Sequence, residues 1–115
     1  MAEKLISRGE VYWINLLLSN GRELQDKHPG VVISNDEQNK YSPLITILPI
    51  TSLKRSEKPY PFQVASCLQD KKGVILIDQI RTVDRKRLGD KLGKLSMEEM
   101  ERVEKSLHIT LALKN

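Results

Sequence analysis

Side chains able to move protons and hold phosphate fall at a few defined places in this chain. Residues 20–28 (NGRELQDKH) carry Arg22, Glu23, Asp26, Lys27 and His28 in one polar stretch. Thr51 and Ser52 close an apolar run immediately before a basic stretch that holds Lys54, Arg55 and Lys58. Asp78, Gln79, Arg81 and Thr82 follow a third apolar run, GVILI. An imidazole, a hydroxyl, a carboxylate and guanidinium groups form the inventory for general acid–base work and for donors to a developing oxyanion. Taken singly, each has a plainer reading. Strand ends in soluble domains are polar, and His28 beside Pro29-Gly30 reads as an exposed turn histidine.

Other chemistries are excluded by pattern. No glycine-rich loop opens a helix, so a phosphate cradle of the nucleotide-binding kind is absent. The two histidines, His28 and His108, stand 80 positions apart with neither cysteine nor carboxylate at ligand spacing, so no metal site is expected. There is no Gly-x-Ser-x-Gly elbow. No cofactor is expected.

The elements that must position these residues are short. Residues 10–16 (EVYWINL), 30–34, 44–50, 62–67, 73–80 and 91–95 are rich in β-branched and aliphatic types and read as strands. Asn20-Gly21, Pro29-Gly30, Pro59 with Pro61, and Lys71-Lys72-Gly73 read as the turns between them. Asn35 or Asp36 caps one helical turn through Tyr41, which Pro43 ends. Ser96-Met97-Glu98-Glu99 is a capping box, followed by Met100, Val103, Leu107 and Thr110 or Leu111 at helical spacing. Six or seven strands and one C-terminal amphipathic helix imply a mainly β fold, a small curved antiparallel barrel with a helix across it. His108 reads as structural within that helix.

The whole, residues 1–115, is expected to be one domain, long enough to bury a core. Its net charge of +4 leans toward an anionic partner without selecting one. The single cysteine, Cys67, has no internal disulfide partner, which points to a reducing cytoplasm; on an apolar strand it reads as a packed core thiol. No apolar run is long enough to span a membrane. Five aromatic residues are too few for a proline-binding groove, which sets aside a peptide-binding module of that kind.

Several of these stretches together resemble one family. RGEVYW at residues 8–13, Gly21-x-Glu23, HPGVVISND at 28–36, PITS at 49–52 and DQIRTVD at 78–84 are similar, in order and spacing, to the MazF/PemK (Kid) toxins of type II toxin–antitoxin systems. The likeness runs from about Arg8 to Leu113. It implies an SH3-like barrel of the CcdB/PemK type, a homodimer, metal-independent cleavage of single-stranded RNA at short sequences, and silencing by a cognate MazE-like antitoxin. The MazF branch pairs a catalytic arginine with a threonine; Thr51 matches the threonine, and His28 stands at the arginine position. The PemK branch uses a histidine, an aspartate and an arginine; Asp78 matches the aspartate, while Arg22 and Leu76 stand at the other two.

Three readings follow from that substitution. His28 takes over proton transfer, which suits an imidazole because that side chain titrates near neutrality. Alternatively, Arg22 supplies the displaced cation to the phosphate. In the third, the protein binds antitoxin or RNA without cleaving. The expected catalytic set is His28, Thr51 and Arg22; the expected RNA contacts are Glu23, Lys54, Arg55, Asp78, Gln79 and Arg81.

Overall fold

The computed structural model describes residues 5–16, 27–52 and 63–114. Seven strands and two helices occur there: β1 (Glu10–Asn15), β2 (Lys27–Val32), α1 (Asp36–Tyr41), β3 (Leu44–Ser52), β4 (Gln63–Leu68), β5 (Lys71–Leu76), β6 (Arg81–Asp84), β7 (Leu88–Lys94) and α2 (Met97–Thr110). Single 3-10 turns at Ile77–Gln79 and Arg85–Arg87 lead into and out of β6. All pairing is antiparallel, in the order β4-β5-β3-β2-β1-β7, with β6 also on β3. The expected architecture, a small curved antiparallel β fold with a C-terminal helix, is the one observed.

β3 is the centre of this arrangement. One edge pairs with β2 through Ile47, Leu48 and Pro49. The other pairs first with β6, through Leu44 to Ile47, and then with β5, through Ile50 to Ser52. The change of partner falls at Leu48 and Pro49, where a proline, having no N–H, suits an interrupted ladder. Both faces of β3 are covered. Ile45 and Ile47 enter one apolar cluster with Tyr12, Ile14, Val32 and Val83, whereas Leu48 and Ile50 enter a second with Val31, Val64, Ile75 and Val103. A strand buried on both faces reads as a nearly continuous apolar run, which is why LITILPI lacks the usual polar alternation.

Strong curvature lets one short sheet cover two cores. β1 and β7 shift register twice, between Val11 and Tyr12 and between Tyr12 and Ile14, and such bulges sharpen local twist. β1 and β2 lie close together because Gly30 has no side chain: a Cβ there would come within 2.5 Å of Ile14 Cδ1.

α2 begins at Ser96, whose hydroxyl accepts from the Glu99 amide at 3.1 Å while Glu99 accepts from the Ser96 amide at 2.9 Å. The second carboxylate oxygen of Glu99 accepts from the Cys67 amide at 3.0 Å, which joins the helix start to β4. Val103 is fully buried, Met100 and Leu107 are half-buried against the second core, and Ser106 shares that face; Leu111 lies exposed at the helix end.

Four expectations need correction. β2 begins at Lys27, so His28, Pro29 and Gly30 are strand residues and the Pro-Gly pair is not a turn. The expected strand 73–80 runs instead from Lys71 to Leu76, its preceding turn lying at Gln69-Asp70 and not at Lys71-Lys72-Gly73, and Arg81–Asp84 form a further strand, because the 3-10 turn redirects the chain onto β3. Cys67 is exposed rather than packed, since alternation along β4 turns Val64 and Ser66 inward and Ala65 and Cys67 outward. His108 is exposed on α2.

Gly30→Ala is expected to lower stability by about 1–3 kcal/mol, because the new methyl must displace Ile14; the shift in urea midpoint measures it. Ser96→Ala removes an N-cap and is expected to cost about 1 kcal/mol in the same titration.

Candidate functional site

Antiparallel pairing brings the start of β2 beside the end of β3. The ladder sets Val32 opposite Ile47, Val31 opposite Leu48 and Gly30 opposite Pro49. Two further steps in that register bring His28 to Thr51. Both line one open groove of about 310 Å³, together with Trp13, Pro29, Ile50, Ser52, Ser66, Leu68, Gln69, Lys71, Lys72, Gly73 and Leu92. His28, Thr51 and Ser52 are exposed, and Trp13 is 39% exposed from its place opposite Pro29.

The groove's chemistry is one-sided. Among its described lining residues there are two lysines, one imidazole, four side chains with hydroxyl or amide groups on β3 and β4 and the turn beyond, and no carboxylate. Aromatic and aliphatic walls from Trp13, Ile50, Leu68 and Leu92 complete it. Such a surface accepts an anion, places hydrogen-bond donors near it, and offers a flat ring to a planar group. Among the described residues, no group of three or more histidine, cysteine, aspartate or glutamate side chains could hold a metal ion.

The other expected site residues are placed differently. Asp78 and Gln79 lie exposed on the 3-10 turn after β5, and Arg81 lies exposed on β6 opposite Ile47; none lines the groove with His28 and Thr51. Arg22, Glu23, Lys54 and Arg55 lie outside the described residues. Trp13, Lys71 and Lys72 line the groove although no role follows for them from sequence. Lys71-Lys72 is visible in sequence only as a charged turn, and its neighbourhood to Thr51 arises from β5 pairing with β3, which sets Thr51 opposite Val74 and Ser52 opposite Gly73.

Two stretches of the family-like sequence prove to be scaffolding. In the first, Glu10 accepts from the Ser7 amide and from the Tyr12 hydroxyl, each at 2.8 Å, and pairs with Lys91 at 2.7 Å. In the second, Asn35 caps α1 through the Gln38 amide at 2.8 Å. Asp36 accepts from the Arg8 amide at 2.7 Å and from Asn39 at 3.2 Å. Buried Asn39 donates to the Ser34 carbonyl at 2.9 Å and accepts from the Ser34 hydroxyl, while Arg85 donates to the Asn39 carbonyl. Arg8 also donates to the Ile33 carbonyl at 3.0 Å and pairs with Glu104 at 2.8 Å. RGE and SND thus tie β1, β7, α1, the 3-10 turn after β6 and α2 together away from the groove.

Known proteins share this design. A family described as PemK-like, MazF-like toxin of type II toxin–antitoxin system matches residues 7–111. Among solved structures, MazF from Deinococcus radiodurans is 26% identical, covering 96% of this chain and 100% of its own, with a TM-score of 0.79. The MazE–MazF complex of the same organism gives 25% identity, coverage of 97% and 100%, and a TM-score of 0.80. An endoribonuclease from mycobacterial species is 25% identical over 97% of this chain and 96% of its own, with a TM-score of 0.78.

The Glu10 cluster carries a pH dependence. Burial acts to raise the Glu10 pKa, but the Lys91 ammonium, the Ser7 amide and the Tyr12 hydroxyl outweigh it and hold the carboxyl below the usual range. Burial, then the Glu10 carboxylate, push the Tyr12 phenol up, so it stays a protonated donor. A carboxyl with a depressed folded-state pKa contributes stability above the ordinary glutamate value of about 4.3 and loses it as pH falls through its folded value. Glu10→Gln is therefore expected to be less stable than the parent at pH 7 and to lose less stability between about pH 5 and pH 3. Thermal melts across that range check it, and parallel losses in both proteins would contradict it.

Proposed function

Because this chain belongs to the PemK-like, MazF-like toxins of type II toxin–antitoxin systems, we propose that it is an endoribonuclease that cuts single-stranded RNA at short sequences without a metal. The observation that carries this reading is the convergence of His28 and Thr51 on one groove free of carboxylates among its described lining residues. A cognate antitoxin of the MazE kind silences it, as the solved MazE–MazF complexes of similar fold suggest. The working unit is a homodimer acting in the cytoplasm. Among the described residues, no helix is long and apolar enough to cross a membrane.

The chemistry follows from the groups at hand. The ribose 2′-oxygen bonds to the neighbouring phosphorus as a base removes its proton. The bond from phosphorus to the 5′-oxygen then breaks, and that oxygen takes up a proton. The new ends are a 2′,3′-cyclic phosphate and a 5′-hydroxyl. His28 serves one of the two proton transfers, and the Thr51 hydroxyl donates to a non-bridging phosphate oxygen, where charge builds in the transition state. A 2′-hydroxyl supplies the nucleophile, so DNA is not cut. Unpaired strands are preferred because splayed bases can enter a groove that a duplex cannot.

The remaining residues take supporting parts. Arg22 and Glu23, six and five positions before His28, supply a phosphate contact and orient the segment that bears it. Lys54 and Arg55 follow Thr51 and track the RNA backbone. Asp78, Gln79 and Arg81, exposed away from the groove of one subunit, act where a second subunit extends the RNA path.

Purified protein incubated with a long RNA and chelator is expected to release fragments bearing cyclic phosphate ends. His28→Ala is expected to slow cleavage at least tenfold, and Thr51→Val by about a hundredfold. Undiminished cleavage by His28→Ala would remove the imidazole from the mechanism. RNA binding without fragments, by the unaltered protein, would favour a non-cleaving binder.

A further inference from the structure

The β4–β5 hairpin holds two cations that neither the fold nor the proposed proton transfers use. Lys71 and Lys72 both line the groove, and among the described residues neither makes an ion pair. Lysines often protect a free sheet edge, but the outermost strand here is β4, and Lys71 and Lys72 sit inside it, paired with Leu68 and Cys67. Their placement therefore needs another reason.

The hairpin is built to hold these lysines at a fixed distance from Thr51. Its two-residue turn has left-handed backbone at Gln69 (φ 53°) and Asp70 (φ 64°), the geometry that matches strand twist in the tightest hairpins. The Gln69 side-chain amide donates to the Leu92 carbonyl at 2.7 Å, tying the tip to β7 across the groove. The Cys67 amide, in the residue opposite Lys72, is held by Glu99 of α2 at 3.0 Å. On the other side Gly73 lets β5 press against β3: a Cβ there would stand 3.0 Å from the Thr51 carbonyl oxygen. Lys72 is two residues from Val74, which pairs with Thr51, a rise of about 7 Å along the strand. That is roughly one nucleotide of extended chain.

We infer that this hairpin is a phosphate clamp for the RNA strand, with Lys71 and Lys72 binding backbone phosphates next to the one that Thr51 contacts. The inference rests on the endoribonuclease reading for the identity of its ligand. Lysine is suited to the task because its ammonium is a point charge on a flexible stem, able to follow a backbone without reading a base. The two lysines are binding residues, so their contribution lies in substrate affinity and its salt dependence. An acidic peptide would meet the same charges, but the Trp13 ring in the same groove offers a stacking face for a base, which favours an RNA strand.

The test measures binding and cleavage separately. A single-stranded RNA with 2′-O-methyl groups, which cannot react, is titrated at several salt concentrations with the full chain, with K71A/K72A, and with K71R/K72R. Each lysine lost is expected to flatten the slope of log affinity against log salt by about 0.7, while the arginine variant keeps the parent slope. On cleavable RNA, K71A/K72A is expected to raise KM roughly tenfold with kcat within about twofold. Parent binding with an unchanged slope in K71A/K72A overturns the clamp and leaves the endoribonuclease reading intact. A flattened slope in a protein that never cleaves supports the clamp and overturns that reading. If K71A/K72A weakens binding of a poly-glutamate peptide titrated in parallel while RNA binding is unaltered, the clamp is overturned in favour of a protein partner. Failure of the parent to bind RNA overturns both.

Discussion

One strand has three partners, and the rest of the molecule is arranged around that fact. β3 spends its nine residues pairing with β2 along one edge and with β6 and then β5 along the other. Such a strand cannot be solvated on either face, so its residues are apolar nearly throughout until Thr51 and Ser52 emerge at the end. The transition from buried to exposed therefore happens at the residues that face the groove. Moving β3 by one position would turn Ile45 and Ile47 toward the other core and carry Thr51 to the wrong face, so the cores hold the site in register.

Much of what makes this chain similar to its family serves that scaffold. Arg8, Glu10, Ser34, Asn35 and Asp36 lie in the most recognisable stretches, yet they bond to one another and to Gln38, Asn39, Lys91 and Glu104, and Arg85 in turn donates to the Asn39 carbonyl. A buried amide such as Asn39 needs all of its partners, and a network that satisfies it specifies one geometry. At position 28 an imidazole stands where the resemblance to MazF-like sequences leads one to expect a guanidinium. The scaffold tolerates that exchange because His28 lies at the open start of β2, exposed, with the closely packed contact of Gly30 and Ile14 two residues further in.

The groove draws on distant parts of the chain for distinct tasks. β1 supplies an aromatic face, β2 an imidazole, β3 a hydroxyl, and the β4–β5 hairpin two ammonium groups. Among its described residues this lining holds no carboxylate, which keeps the potential positive where an anionic backbone would lie, and the acidic residues of α2, Glu98, Glu101 and Glu104, face elsewhere. A net charge of +4 would not by itself establish this; the separation of charge by face does.

Local chemistry determined a good part of this protein from sequence alone. Capping at Asn35 and Ser96 is decided within four residues by which side chain can accept from an orphan amide, and both helices begin where that rule places them. The apolar runs announced most of the strands, and the ordered motifs announced the family. His28 and Thr51 could be named as a pair because a family resemblance linked them. Tertiary structure decided the rest. Pro29-Gly30 looks like a turn, and only the approach of β1 makes it a strand, since the missing Cβ is needed by Ile14 and not by a bend. Cys67 looks buried until the phase of β4 against α2 turns it outward. Lys71 and Lys72 look like solvated turn charge, and Arg81 like a partner of Thr51, until pairing with β3 puts the lysines in the groove and the arginine outside it. Register is a relation between strands far apart in sequence, so no single strand's composition contains it.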